Sequence, residues 1–154
     1  MKYIASIFLV CSMGLFTASL LFPAFCTERG QPIHGAAIIL FGWLGMPTGG
    51  ANLTWFANPL LAVAWITFKY PKVSFWFSIF AVIVSASFLL FTQVAVDTAG
   101  EGRVIAHLYL GYWLWLSSMV VMLVGNGIQM IVLYSKQNIQ QENEESIFSK
   151  YPRI

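Results

Sequence analysis

Residues 72–97 read KVSFWFSIFAVIVSASFLLFTQVAVD, and between Lys72 and Asp97 no Asp, Glu, Lys or Arg interrupts the run. A hydrocarbon core of roughly 30 Å takes about 20 apolar residues at a helical rise of about 1.5 Å each. This stretch supplies them, and three more charge-free runs do the same, from Lys2 to Glu28, Arg29 to Lys69 and Arg103 to Lys136. The pattern is that of an integral membrane protein.

Composition agrees. The 154 residues are 58% hydrophobic and 9% charged, with a mean hydropathy of +0.75, far from the soluble average. A formal charge of +2, spread along the chain, makes no basic surface for nucleic acid. Cys11 and Cys26 lie about 22 Å apart along a continuous helix, too far for a disulfide. Lys2 and the apolar run after it resemble a secretory signal, with small residues at Thr17-Ala18-Ser19. The run continues to Phe25, however, which favours a retained helix.

Charge placement predicts the threading. Lys2, then Lys69 and Lys72, then Lys136, Lys150 and Arg153 sit on three segments, and segments bearing the lysines and arginines belong on the cytoplasmic side. The predicted fold class is therefore all-α, a polytopic membrane protein with four transmembrane helices over about 3–25, 50–68, 73–93 and 105–134. Both termini are expected in the cytoplasm. Residues 31–52 are apolar but broken by Gly42, Gly45, Pro47, Gly49 and Gly50, and read as a re-entrant or interfacial helix on the outer side. Residues 136–154 read as a polar, mobile cytoplasmic tail, since they carry too little apolar surface to fold alone.

Periodicity assigns the faces. In the last span His107, Gly111, Ser118, Met122, Gly125 and Gln129 share one stripe at about 100° per residue, opposite Tyr109, Trp113, Leu116, Val120, Leu123 and Ile131. The third span carries Ser74, Ser78, Ala81, Ser85 and Thr92 on one side, and the first has Gly14 and Ala18 four apart. Small and hydroxyl residues let membrane helices approach and exchange hydrogen bonds, so these stripes are predicted packing seams. Asn58 and Pro59 predict a kink within the second span, with Asn58 taking up the carbonyl that proline cannot serve. Trp65 and Trp76, near Lys69 and Lys72, suit an inner aromatic belt.

No catalytic or cofactor-binding residue is expected. The candidate metal ligands, His34, His107, Cys26, Glu28, Asp97 and Glu101, all map to the outer ends of helices or their loops. Imidazole, thiolate and carboxylate suit zinc or copper, and two histidines suit a haem iron. No local ligand spacing joins them, and interfacial histidines hydrogen-bonded to loops are the expected reading. The spans also lack the ionisable group that a coupled carrier generally needs. Small multidrug exporters have a glutamate in their first span, and thiol-quinone oxidoreductases have paired outer cysteines; this chain has neither.

The blocks Leu21-Phe22-Pro23-Ala24-Phe25, Trp55-Phe56-Ala57-Asn58-Pro59-Leu60 and Gly111-Tyr112-Trp113-Leu114-Trp115-Leu116 resemble those of a loose group of functionally uncharacterised small bacterial four-helix inner-membrane proteins. That resemblance implies a bacterial inner membrane and transfers no site residue. The function expected is non-enzymatic: an accessory or stabilising subunit of a membrane assembly, or a self-assembling oligomer, with the bilayer and other membrane proteins or itself as partners. A small transporter or channel using residues 42–59 and an outer-face metal or haem protein are the alternatives.

Overall fold

The computed structural model describes residues 2–28, 30, 32–95 and 102–150. It is mostly helical, and two of its helices are long and apolar enough to cross a membrane, one within Pro71–Leu90 and one within Leu110–Glu142. The elements in order are α1 (Lys2–Leu21), β1 (Pro23–Thr27), β2 (Ile33–His34), α2 (Gly35–Phe41), α3 (Ala57–Ile66), α4 (Pro71–Ser87), β3 (Gln93–Ala95), β4 (Gly102–Leu108) and α5 (Leu110–Lys150). Three 3-10 segments join them, Gly42–Thr48 and Gly50–Phe56 before α3 and Phe88–Leu90 after α4.

The fold is not purely all-α. A four-stranded antiparallel sheet, in the order β2-β1-β4-β3, caps one end of the helices. Its origin is local. Pro23 has no N–H to continue α1, and it sits at the first position of β1, where proline is tolerated. The span predicted to reach Phe25 therefore stops at Leu21. The last span likewise begins at Leu110 and not at Ile105, because residues 102–108 pair with both β1 and β3. His107, placed on a helical stripe by its spacing, is a strand residue.

Below the sheet the helices pack around Ala57, Leu61, Ala64, Ala81, Met119 and Met122, all buried. The α4 stripe of Ser74, Ser78, Ala81 and Ser85 is fully buried, whereas Thr92 lies beyond the helix and is exposed. On α5 Gly111, Ser118, Met122 and Gly125 are buried, while Trp113, Val120 and Ile131 face outward. On α1, among the described side chains, the buried positions are Ser12 and Ser19, seven apart and hence on one face. Gly14 is exposed, with nothing within 4 Å of where a Cβ would stand, so it lies off the seam; Ala18 is half-buried.

Two further expectations change. The segment before α3 is a pair of 3-10 segments, turned back on itself at Gly49 and Gly50, whose φ values of 72° and 60° favour glycine. Pro59 consequently falls in the first turn of α3, at the change from 3-10 to α geometry, and does not kink a long helix. The tail, predicted to be mobile, continues α5 through Lys150. Extending an existing helix needs no new nucleus, and Gln, Glu and Lys are good helix formers.

Candidate functional site

Two places bring polar or chemically distinctive side chains together: a set of ties inside the bundle, and a chamber under the sheet. The ties begin at Asn58. Its Nδ2 donates to the Trp55 carbonyl at 3.0 Å, the group that position 59 would serve if it had an N–H, and its Oδ1 accepts from Trp115 Nε1 at 2.7 Å. One side chain thus completes the 3-10 to α junction and fixes it to α5. Nearby, the Tyr112 hydroxyl donates to the Ser85 carbonyl at 3.1 Å, joining α5 to α4.

A second tie joins α1 to α5 and α3. Ser12 Oγ donates to the Ser118 carbonyl at 2.7 Å and accepts from Trp65 Nε1 at 3.0 Å. Trp65, predicted for an aromatic belt, therefore points into the bundle, edge-on to Phe16 with ring centroids 5.3 Å apart. Trp76 is exposed. The third tie is at the far end. Asn126 Nδ2 donates to Ser74 Oγ at 2.8 Å and to Ser78 Oγ at 2.7 Å, while those hydroxyls donate to the carbonyls of Ala64 and Ser74. Asn126 Oδ1 is buried with no hydrogen-bond partner among the described residues.

Close approach makes these ties reachable. A Cβ on Gly125 would collide with the Phe8 side chain, and one on Gly111 would lie 2.6 Å from the carbonyl oxygens of both Phe22 and Pro23.

The chamber lies between the sheet and the folded-back 3-10 pair. It has a volume of about 540 Å³ and is walled mainly by Phe25, Ile38, Phe41, Trp55, Phe88 and Val94. A smaller cavity of about 60 Å³ shares Phe25, Ile38, Trp55 and Phe88 with it and runs on to Asn58, Tyr112 and Trp115. Asn52 braces the chamber wall, its Nδ2 donating to Thr48 Oγ1 at 2.8 Å and to the Ala95 carbonyl at 3.1 Å.

The candidate metal ligands that the structure describes are not gathered. His34 pairs with Pro23 on one side of β1, and His107 pairs with Cys26 on the other. Standard strand spacings then put the two histidines about 14 Å apart. Both are exposed while Cys26 is buried, and Glu28 faces solvent. Asp97 and Glu101 lie outside the described residues. Among the described residues no three His, Cys, Asp or Glu side chains group as a metal site would. Cys26 instead meets Tyr109, and its hydrogen bond raises the phenol's pKa above the ordinary value near 10.

Sequence reasoning missed Ser12, Tyr112 and Trp115. Tyr112 and Trp115 stood within an aromatic block with no polar neighbour in sequence, so nothing local marked their hydrogen-bonding ends. Comparison with known proteins finds no matching family model, no matching curated protein and no matching solved structure.

Proposed function

We propose that this chain is a four-span inner-membrane protein that works by contact, as an accessory or stabilising subunit of a membrane assembly or as a self-assembling oligomer. Helix lengths support four spans. The 20 residues of α1 rise about 30 Å, and α4 with its 3-10 extension rises about 31 Å. The 3-10 segment Gly50–Phe56 adds about 14 Å to the roughly 15 Å of α3, so the pair also matches a core of about 30 Å. The lysines at Lys69, Lys72 and Lys136 favour cytoplasmic termini, with the sheet and the Gly49-Gly50 turn toward the other side. The likeness of its apolar blocks to those of small bacterial inner-membrane proteins belongs to the same proposal.

The observation that carries the contact reading is where the bundle's polar side chains are spent. Asn58, Trp115, Ser12, Trp65, Ser74, Ser78 and Asn126 bind one another or nearby carbonyls across helices. Such bonds contribute roughly 0.6–2 kcal/mol each to helix association. A polar translocation path would leave such groups facing water along its length. A second observation concerns α5, which stands exposed from Leu133 to Glu142 and is offered to something other than its own chain.

Chemical crosslinking in the native membrane followed by purification in mild detergent tests the reading. A defined oligomer or a stoichiometric membrane partner is expected, and truncation after Lys136 should weaken it. A monomer without partner that supports solute flux in proteoliposomes would replace it with the transporter reading.

A further inference from the structure

The chamber under the sheet has the size of a ligand site, since such sites run from roughly 300 to 1,000 Å³. Its wall decides what kind of ligand fits. Among the described residues the one side-chain amide there, that of Asn52, already spends both of its N–H bonds on Thr48 and Ala95, and the rest of the described lining is chiefly aromatic and aliphatic. Whatever enters must be apolar along its buried length, because an unpaired polar group would lose its hydration without return. A separate small cavity shares several of its wall residues and is also lined by Asn58, Tyr112 and Trp115.

The rim says where that chain comes from. Phe41 and Leu44 line the chamber and are nevertheless 64% and 48% exposed, next to exposed Leu40 and Trp43. An apolar mouth of this kind opens to lipid more favourably than to water. The rim also carries a charge. Arg103 on β4 is the direct cross-strand partner of Val94, whose buried side chain lines the chamber, so the two side chains share a face of the sheet. Arg103 is half-buried, and its side chain makes no hydrogen bond or ion pair among the described residues. A guanidinium so placed suits a phosphate, which it can hold through two parallel bonds.

We propose that the chamber binds one acyl chain of an anionic phospholipid taken from the leaflet at the sheet end, with the headgroup phosphate on Arg103. The site depends on the sheet and hairpin and not on the contact role proposed above.

The test uses the full chain in mild detergent, delipidated and incubated with phosphatidylglycerol, phosphatidylcholine or inorganic phosphate, and reads retained lipid by native mass spectrometry. One phosphatidylglycerol per chain is expected. Arg103→Gln should weaken its retention by about tenfold, because the charge-assisted bonds are lost. Ala37→Trp, from an exposed position on the chamber wall, should remove retention by filling the space, and Leu90→Trp, exposed and off the chamber, should not. Should A37W fail to fold, R103Q at its half-buried position still decides. Equal retention of phosphatidylcholine and phosphatidylglycerol, equal retention by A37W and the parent, or displacement of the lipid by inorganic phosphate alone would each overturn the proposal.

Discussion

The helix bundle and the sheet-capped end bury their backbones in opposite ways. In the bundle, Gly125 brings α5 close enough to α1 that a single added carbon collides with Phe8, the serines of α4's stripe are fully buried, and most polar groups are consumed by ties across the seams. At the sheet end, short strands and 3-10 segments satisfy their own backbone hydrogen bonds and arch over a space of about 540 Å³. The first arrangement is rigid because it has no volume to give. The second tolerates change in side-chain volume, and its occupant can be varied without unpacking the helices. Added bulk should therefore cost stability in the bundle and alter occupancy in the cap.

The sharpest way to break this contrast is at Gly111. A methyl group there meets two backbone carbonyl oxygens, which cannot rotate away as a side chain can. Gly111→Ala should destabilise the protein by about 3 kcal/mol, the upper part of the range for overpacking, with loss of the α5 to β1 junction. Gly125→Leu should cost about as much, roughly 3 kcal/mol, since the nearest atom is the Phe8 Cβ, which side-chain rotation does not carry away. Val120→Leu, outward-facing, should leave thermal stability in detergent unchanged. Equal melting of G125L and V120L would show that the seam is not close-packed.

That seam was legible in the sequence, and the cap was not, for a physical reason. Ser74, Ser78, Ala81 and Ser85 recur every three or four residues among large apolar neighbours, so their placement on one face follows from helical geometry. Gly14 and Ala18 satisfied the same spacing and misled, because four-residue spacing marks a face without saying which face has a partner. Ser12, whose hydroxyl reaches both Ser118 and Trp65, was the better mark. In the cap, residues 23–27 continue an apolar run with no change of period, and only Pro23 signals the break. The strand 102–108 carried a faint sign in Val104 and Ile105, which favour strands. A shared metal site would need the outer loops to converge, whereas β1 stands between His34 and His107.

A finer comparison sets the two asparagines against each other. Asn58→Ala leaves the Trp115 indole N–H without its acceptor and takes one donor from the Trp55 carbonyl in a half-buried site, at a cost of about 2 kcal/mol. Asn126→Leu should cost less, about 1 kcal/mol or under. The hydroxyls of Ser74 and Ser78 keep their bonds to backbone carbonyls, and the change removes an acceptor that has no partner among the described residues. Chemical or thermal unfolding of the two variants in the same detergent gives the order. If N126L proves the more damaging, the far end of the bundle depends on its amide more than the geometry allows.

The smallest effect belongs to Tyr109, at the border between sheet and α5. Its phenol is held by the Cys26 thiol and its pKa lies above the ordinary value near 10 in the folded protein. The folded state then keeps this proton to a higher pH than the unfolded chain does. Linkage makes the associated stability complete below about pH 10 and lost as pH rises through the folded pKa. The side chain is exposed enough that water screens most of the effect. Between pH 9 and 12 the parent protein should therefore lose slightly more thermal stability than Tyr109→Phe, measured side by side, and the two should converge in slope below pH 9. A parent and Y109F that track each other across the whole alkaline range would mean that the Tyr109 to Cys26 contact is absent in the membrane, and that the edge of the cap is looser than its hydrogen bonds imply.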